Sequence, residues 1–254
     1  MILDDFSLAG RVGLVTGAAR GLGQGHALAL AEAGADVAVL DIFDCAETAA
    51  KIRDLGRRAI TLQADLSKAT PEDLAGFVET AVAGLGRLDI LVNNAGIIRR
   101  QPAAEHSAAN WNDVLTINLD AVFFLSQAAG RVMIAQGSGK IVNIASMLSY
   151  QGGILVPSYT AAKHAVAGVT KALANEWAAS GVNVNAIAPG YMATENTRPI
   201  REDADREASI AARIPAGRWG TPRDLAGVLV FLASAASDYL HGAVIPVDGG
   251  WLTR

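Results

Sequence analysis

The chain has 254 residues, 51% hydrophobic and 18% charged, with a net charge of −4. That is enough apolar material for a large core, and the absence of a basic tail or arginine-rich arm argues against nucleic acid as a partner. The single cysteine, Cys45, excludes an internal disulfide and fits a reducing compartment. The opening MILDDFSLAG carries two aspartates and no basic stretch before a long apolar run, so no secretory signal is expected. No uncharged apolar run of about 18 residues suggests a membrane span, and the expected setting is the cytoplasm. Repeats, linkers and composition shifts are absent, so one domain is expected over residues 1–254.

The strongest local signal is RVGLVTGAARGLGQGHALALAEAGADVAVLD, from Arg11 to Asp41. Val12 to Val15 predicts a strand ending in Thr16-Gly17. Gln24 to Ala33 predicts a helix closed by Gly34, and Val37 to Leu40 a second strand ending in Asp41. Gly17, Gly21 and Gly23 lie between strand and helix, where glycine permits positive φ and close approach of a ligand to the backbone. A helix start offers unpaired N–H groups and a positive dipole end, which suit a pyrophosphate. Asp41 can accept hydrogen bonds from both hydroxyls of an adenosine ribose. On this stretch alone, a tight turn without a ligand remains the other reading.

Asp44 to Leu55 predicts a helix closed by Gly56, and Ala59 to Gln63 a strand ending in Ala64-Asp65-Leu66. Residues just past strand ends line the crevice of a doubly wound sheet, which makes Asp65 a candidate for an adenine edge. Capping is the other role open to it, because Ser67 and Thr70 precede a predicted helix, Pro71 to Ala83. Leu88 to Val92 predicts the fourth strand and runs into Asn93-Asn94-Ala95-Gly96, a turn that braces the sheet and leaves room for a flat ring. Ile97-Ile98-Arg99-Arg100 follows at the rim. Ala109 to Ala129 predicts a long helix with Asn118 inside it, where an amide suggests a buried polar task.

Lys140 to Ala145 predicts the fifth strand and delivers Ser146 to the crevice, ahead of a loop at Gln151-Gly152-Gly153. Ser158 to Trp177 predicts a helix closed by Gly181, and Val182 to Ile187 a sixth strand leading into Ala188-Pro189-Gly190. Tyr191 to Pro222 is polar and charged, holds a predicted helix from Asp203 to Arg213, and lies where a substrate lid would sit, at about 191–222. Arg223 to Ala233 predicts a helix and Ala243 to Val247 the last strand, before the tail DGGWLTR. The alternation predicts an α/β fold, a doubly wound parallel sheet of Rossmann type with helices on both faces.

Tyr159 and Lys163 are four apart on one predicted helix and share a face. A neighbouring ammonium favours the phenolate and is expected to lower the tyrosine pKa, so the pair can take a proton from a hydroxyl or return one to a carbonyl. Ser146 can hold the same oxygen, and a bound nicotinamide would take the hydride. Alone, the Y-x-x-x-K spacing fits an amphipathic helix with a snorkelling lysine equally well. His26, His106, His164 and His241 show no metal-binding spacing, and no catalytic metal is expected.

Taken in order, TGAARGLG, NNAG, Asn118, Ser146, the YTAAK run and Pro189-Gly190 resemble the short-chain dehydrogenase/reductase family over essentially the whole chain. The resemblance implies a catalytic set of Asn118, Ser146, Tyr159 and Lys163, with Asn118 holding a water that links Lys163 to solvent. It implies that Lys163 binds the nicotinamide ribose, that Pro189 and Gly190 lie against the nicotinamide, and that Thr194 anchors that end. Asn93 would support the adenosine side. Arg20, Leu22, Leu66, Ala95 and Gly96 complete the implied cofactor site, and Ser146, Tyr159, Arg100 and Gln151 the substrate site. Asp41 would repel a 2′-phosphate and favours NAD over NADP, while Arg20 in the glycine turn points the other way.

NNAGIIRR, NIASMLSYQGG, NAIAPGYMAT, IPAGRWG and VDGGW are similar to the sugar-acid branch of that family. They imply an oxidoreductase interconverting a secondary alcohol and ketone of a sugar acid of 2-deoxy-D-gluconate or 2-dehydro-3-deoxy-D-gluconate type. Arg99, Arg100, Arg198 and Arg218 can each pair with a carboxylate or simply lie in solvent. An NADP-dependent reductase of a ketoacyl or other carbonyl substrate, and a dinucleotide sensor without catalysis, are the alternatives. The resemblance also implies a homotetramer, with the two long helices at one interface and the last strand at another.

Overall fold

The computed structural model describes residues 1–254, the side chain of Asn196 excepted. Seven strands alternate with helices: β1 (Val12–Thr16), α1 (Gly21–Glu32), β2 (Asp36–Asp41), α2 (Ala46–Asp54), β3 (Ala59–Gln63), α3 (Pro71–Leu85) and β4 (Ile90–Asn93). Then come α4 (Ala108–Leu115), a π-helical turn (Thr116–Asp120), α5 (Ala121–Gln136), β5 (Gly139–Ile144), α6 (Pro157–Trp177) and β6 (Val182–Pro189). The chain closes with α7 (Arg198–Arg201), α8 (Ala204–Arg213), α9 (Pro222–Ala233) and β7 (Val244–Val247). The strands form one parallel sheet in the order β3-β2-β1-β4-β5-β6-β7. This is the doubly wound fold that the alternation predicts, and its order reverses between β1 and β4.

Helices on both faces explain the strand sequences. β1 and β6 are buried along their whole length, as parallel strands covered on two sides must be, whereas the edge strands β3 and β7 are partly exposed. Side-chain alternation splits the core. Val39 packs with Leu30 and Leu229 on the face of α1 and α9, and the next residue, Leu40, packs with Leu74 and Leu125 on the face of α3 and α5. At the other end of the sheet, the buried carboxylate of Asp89 ties β1 to β4. It accepts from the Val12 amide at 2.9 Å and pairs with Arg11 at 3.0 Å and Arg87 at 2.7 Å.

Two differences from the sequence reading bear on function. Helix α1 starts at Gly21, three residues before the expected Gln24, because the last glycines of the turn already form its first helical turn. The long helix expected over Ala109 to Ala129 is instead α4 and α5 joined by the π turn that contains Asn118. The whole stretch Ala108–Gln136 is long and apolar enough, by composition, to cross a bilayer; half of its most apolar window is buried, and it packs on α3 and the sheet.

Cys45 is buried beside Asp41 and Asp44, and burial with those two carboxylates pushes its thiol up to about 11, so it is an inert thiol at neutral pH. His26 of α1 is fully buried, and neither ring nitrogen has a hydrogen-bond partner. Burial lowers its pKa from 6.5 to about 4. The folded state therefore resists a proton that the unfolded chain accepts. The resulting stabilisation is complete above pH 6.5 and is lost as pH falls toward 4, by roughly 3 kcal/mol at the acid end. Thermal unfolding followed from pH 7 to pH 4 should fall less steeply for His26→Leu than for the wild type; parallel curves would remove His26 from the acid limb.

Candidate active site

A cavity of about 780 Å³ opens at the C-terminal ends of the strands, where the sheet order reverses. Every residue that the sequence assigned to cofactor, substrate or catalysis lines it, except Asn93.

One end of the cavity is built from backbone. Gly17 adopts φ +66°, and a Cβ on Gly23 would stand 1.9 Å from the Gly17 carbonyl oxygen, so the turn closes only on glycine. Arg20, just before α1, gives no side-chain cap, which leaves the first N–H groups of α1 without an acceptor from this source. Thr16 Oγ1 accepts from the amides of both Asn94 and Ala95 at 3.0 Å, and Asn94 Nδ2 donates to the Thr16 carbonyl at 2.9 Å. Asn94 thus locks the glycine turn onto the end of β4.

Asn93 points the other way. Its Nδ2 donates to Ser126 Oγ and Asn143 Oδ1, both at 2.9 Å, in the core under α5. It braces the sheet and does not reach the adenosine side. Consecutive side chains leave a strand on opposite faces, so only one of two adjacent amides can meet the crevice.

Asp41 is 8% exposed. Its carboxylate accepts from the Ala19 amide at 2.9 Å and the Phe43 amide at 3.0 Å, which fixes both oxygens at the cavity wall. The Arg20 guanidinium stacks over the Phe43 ring at 4.6 Å. Asp65 also lines the cavity while holding its own loop, accepting from the Ser67 amide at 3.0 Å and hydroxyl at 2.6 Å. These bonds, with Lys68, hold its carboxyl below the usual range. The cap of α3 is Thr70, reciprocated by Asp73.

The other end carries side-chain chemistry. Ser146 follows β5, and its Oγ accepts from the Leu148 amide at 3.1 Å. Tyr159 and Lys163 lie one turn apart on α6. Lys163 is 3% exposed, donates from Nζ to the Ile144 carbonyl at 2.6 Å, and sits 5.6 Å from the centre of the Tyr159 ring. Burial lowers Lys163 to about 8. Burial also raises Tyr159, and the Ser146 hydroxyl beside it opposes that shift. The lowered tyrosine pKa expected from the i, i+4 spacing is therefore not what the structure gives. The ammonium that would lower it is itself destabilised by the same dry surroundings.

Asn118 is fully buried in the π turn. Its Oδ1 accepts from the Ile97 amide at 3.1 Å, and its Nδ2 donates to the Ile97 carbonyl at 2.8 Å and the Val114 carbonyl at 3.0 Å. A π turn loosens the helical ladder, and here a side-chain amide takes a carbonyl one turn back. Asn118 thus clamps the irregular segment after β4 that forms the cavity wall.

Of the four arginines singled out from sequence, only Arg100 lines the cavity. Arg99 pairs with Asp113 at 3.3 Å, Arg198 with Glu195, and Arg218 with Asp224 at 2.6 Å. The cavity arginines that the sequence reading missed are Arg206 and Arg213 of α8, with Trp251 from the tail. Their spacing was a usable signal: residues 206, 210 and 213 fall on one helical face, and Ile210 is buried.

The family described as Enoyl-(Acyl carrier protein) reductase matches residues 17–252. The chain is 58% identical to 2-dehydro-3-deoxy-D-gluconate 5-dehydrogenase of Dickeya dadantii over 255 aligned positions, covering 100% of both chains. A crystal structure from Agrobacterium tumefaciens, provisionally assigned as a 2-deoxy-D-gluconate 3-dehydrogenase with bound NADP, is 54% identical with a TM-score of 0.92, over 99% of this chain and 100% of that one. Gluconate 5-dehydrogenase from Burkholderia cenocepacia, in complex with NADP and tartrate, is 40% identical with a TM-score of 0.95 and full coverage of both chains.

Proposed function

The chain belongs to the short-chain dehydrogenase/reductase family, and on that premise we propose that it is an NAD-dependent oxidoreductase interconverting a secondary alcohol and a ketone of a sugar acid of 2-dehydro-3-deoxy-D-gluconate type. The observation that carries this reading is the convergence on one cavity of a glycine turn that only glycine can close and of Ser146, Tyr159 and Lys163 at its other end. The substrate class comes from the relative that shares 58% of its residues over its whole length.

The residues present suit a nicotinamide dinucleotide. Gly17, Gly21, Leu22 and Gly23 offer uncapped amides to a pyrophosphate. Asp41 offers its fixed carboxylate to a ribose, and Asp65 and Leu66 border the adenine side. Ala95, Gly96, Pro189, Gly190 and Thr194 line the same cavity, and in this reading Pro189, Gly190 and Thr194 meet the nicotinamide end. Such a cofactor supplies the hydride acceptor or donor that no protein side chain provides. Tyr159 Oη then takes the hydroxyl proton during oxidation and returns it to the carbonyl oxygen during reduction. Ser146 Oγ holds that same oxygen by a hydrogen bond. Lys163 brings positive charge to the buried phenol and orients the ribose, and Arg100 and Gln151 stand at the substrate rim.

We include a lid in the proposal. Segment 191–222 leaves and returns at one point, where the Ala193 amide donates to the Gly220 carbonyl at 2.7 Å and the Gly220 amide to the Tyr191 carbonyl at 2.9 Å. What lies between these bonds, including α7 and α8, covers the substrate end. The homotetramer implied by the family resemblance belongs to the same reading, with α5 and α6 at one interface and edge strand β7 at another.

NADP is the second reading, supported by Arg20 beside Phe43 and by the NADP bound in two related structures. A 2′-phosphate would meet the Asp41 carboxylate, and such a like-charge contact costs several kcal/mol. Asp41→Ala should therefore raise the NADP/NAD ratio of kcat/KM by about 100-fold. A wild type that already prefers NADP, and whose ratio Asp41→Ala leaves alone, would overturn the NAD assignment. The function itself is tested by nicotinamide absorbance against a panel of sugar acids and uncharged alcohols with each cofactor. Turnover confined to uncharged substrates would end the sugar-acid reading. Silence with tight dinucleotide binding would favour a sensor.

A further inference from the structure

The substrate end of the cavity is rich in unpaired positive charge. Arg100, Arg206 and Arg213 line it, and among the described residues none of the three has an ion-pair partner. Glu195 is the one acidic side chain nearby in the lining, and Arg198 already pairs with it. An anion is the ligand such a wall recognises.

The three arginines are not equivalent. Arg100 sits exposed in an irregular rim segment and stacks on no aromatic ring among the described residues. Arg206 lies in the first turn of α8, next to the capping carboxylate of Asp203 and flanked by Asp205 and Glu207, so its field is partly offset. Arg213 ends α8, where a cation complements the helix dipole. Its guanidinium lies 4.0 Å from the centre of the Trp251 ring. That stacking holds the planar fork in one orientation with its N–H edges free, which reduces the ordering cost of binding a carboxylate.

Trp251 is itself fixed. It is 4% exposed, and its ring meets Tyr191 edge-on at 4.8 Å. Asp248 accepts from the Gly250 amide at 2.8 Å and the Leu252 amide at 3.0 Å on either side of it, and Arg254 donates to the Ala212 carbonyl at 3.0 Å, tying the tail to the end of α8. The shelf continues through the same apolar cluster to Met147, the residue after Ser146. The indole Nε1 of Trp251 is itself buried and has no hydrogen-bond partner among the described residues, so what Trp251 offers Arg213 is its ring face.

We infer that Arg213, held over the Trp251 ring, is the group that binds the substrate carboxylate. The inference rests on the sugar-acid reading and names the residue that enforces it. In 2-dehydro-3-deoxy-D-gluconate the C1 carboxylate lies four carbon–carbon bonds from C5, so a group that holds C1 acts at the opposite end of the substrate from the carbon that reacts. Arg213 touches substrate far from the reacting atoms, so its loss should weaken binding far more than it slows turnover.

The test compares 2-dehydro-3-deoxy-D-gluconate with its neutral C1 amide, in wild type, Arg213→Ala and Arg213→Lys, at saturating cofactor. Arg213→Ala should raise KM for the acid by about 100-fold, as truncating one partner of a charge pair does, with kcat within a few-fold. KM for the amide and for the cofactor should stay unchanged, which also reports an intact fold. Arg213→Lys keeps the charge without the planar fork and should recover only part of the loss. If the wild type prefers the acid and Arg213→Ala keeps that preference, Arg213 is the wrong residue and the sugar-acid reading stands. If the wild type treats acid and amide alike, the sugar-acid reading falls, and this assignment falls with it.

Discussion

Tyr159→Phe should lower turnover by roughly 10²–10⁴-fold in both directions while leaving dinucleotide affinity within a few-fold, because a positioned acid–base group contributes about that much. The ring that packs in the cavity stays and only the proton carrier is lost. The pH dependence follows from the same group. Burial raises the Tyr159 phenol above its ordinary value, so near neutral pH the tyrosine carries its proton and is ready to donate it to a carbonyl oxygen. Oxidation of the alcohol needs the phenolate and should speed up as pH rises. Reduction of the ketone needs the phenol and should slow. The residual activity of Tyr159→Phe should lose both slopes. One other phenol lines the cavity, that of Tyr191, and it packs against Trp219 and Trp251. Tyr150 donates its hydroxyl to the Val244 carbonyl at 2.6 Å and is outside the cavity lining. Tyr191→Phe is therefore the control and should keep its rate and its pH slopes. A Tyr159→Phe enzyme with more than a tenth of wild-type turnover would remove Tyr159 from the chemistry.

What the sequence could disclose was set by how local each feature is. Gly17, Gly21, Gly23 and Asp41 belong to one strand–turn–helix–strand unit, whose geometry follows from neighbours in the chain, and all four line the cavity. Ser146, Pro189 and Gly190 were legible because each follows a strand, and strand ends in a doubly wound sheet lead to the crevice. Asn93 and Asn94 were not separable, since strand parity decides which amide faces the glycine turn and β4 runs to Asn93, one residue past its predicted end at Val92. The arginines depended on distant packing. Arg213 acquires its role from Trp251, 38 positions later in the chain, and no local pattern records that meeting. The Tyr159 shift failed for a related reason: spacing places an ammonium near a phenol, but burial decides which charge states survive there.

Asn118→Leu should cost about 3–6 kcal/mol, because it leaves one buried donor and two buried acceptors without partners at about 1–3 kcal/mol each, with some relaxation. The groups are the Ile97 amide, the Ile97 carbonyl and the Val114 carbonyl. Leucine keeps the branching of asparagine but is larger, so crowding against Gly96 adds to the loss of the hydrogen bonds. For a chain of this size the unfolding midpoint should drop by roughly 10 °C or more, a large share of a marginal stability. Activity should fall with it. The Asn118 Oδ1 packs so closely on Gly96 that a Cβ there would stand 2.4 Å away, so releasing the clamp frees the Gly96-Ile97 wall of the cavity. This expectation differs from that of a proton relay through Asn118, the role implied by family resemblance. A relay alone predicts a lowered kcat, an altered pH profile and an unchanged midpoint. The clamp predicts a lower midpoint even in Asn118→Asp, which keeps an acceptor for the Ile97 amide but loses both donated bonds. Calorimetry on the two variants, beside their pH–rate profiles, separates the roles. A wild-type midpoint with depressed turnover would leave Asn118 with the relay and take the clamp away.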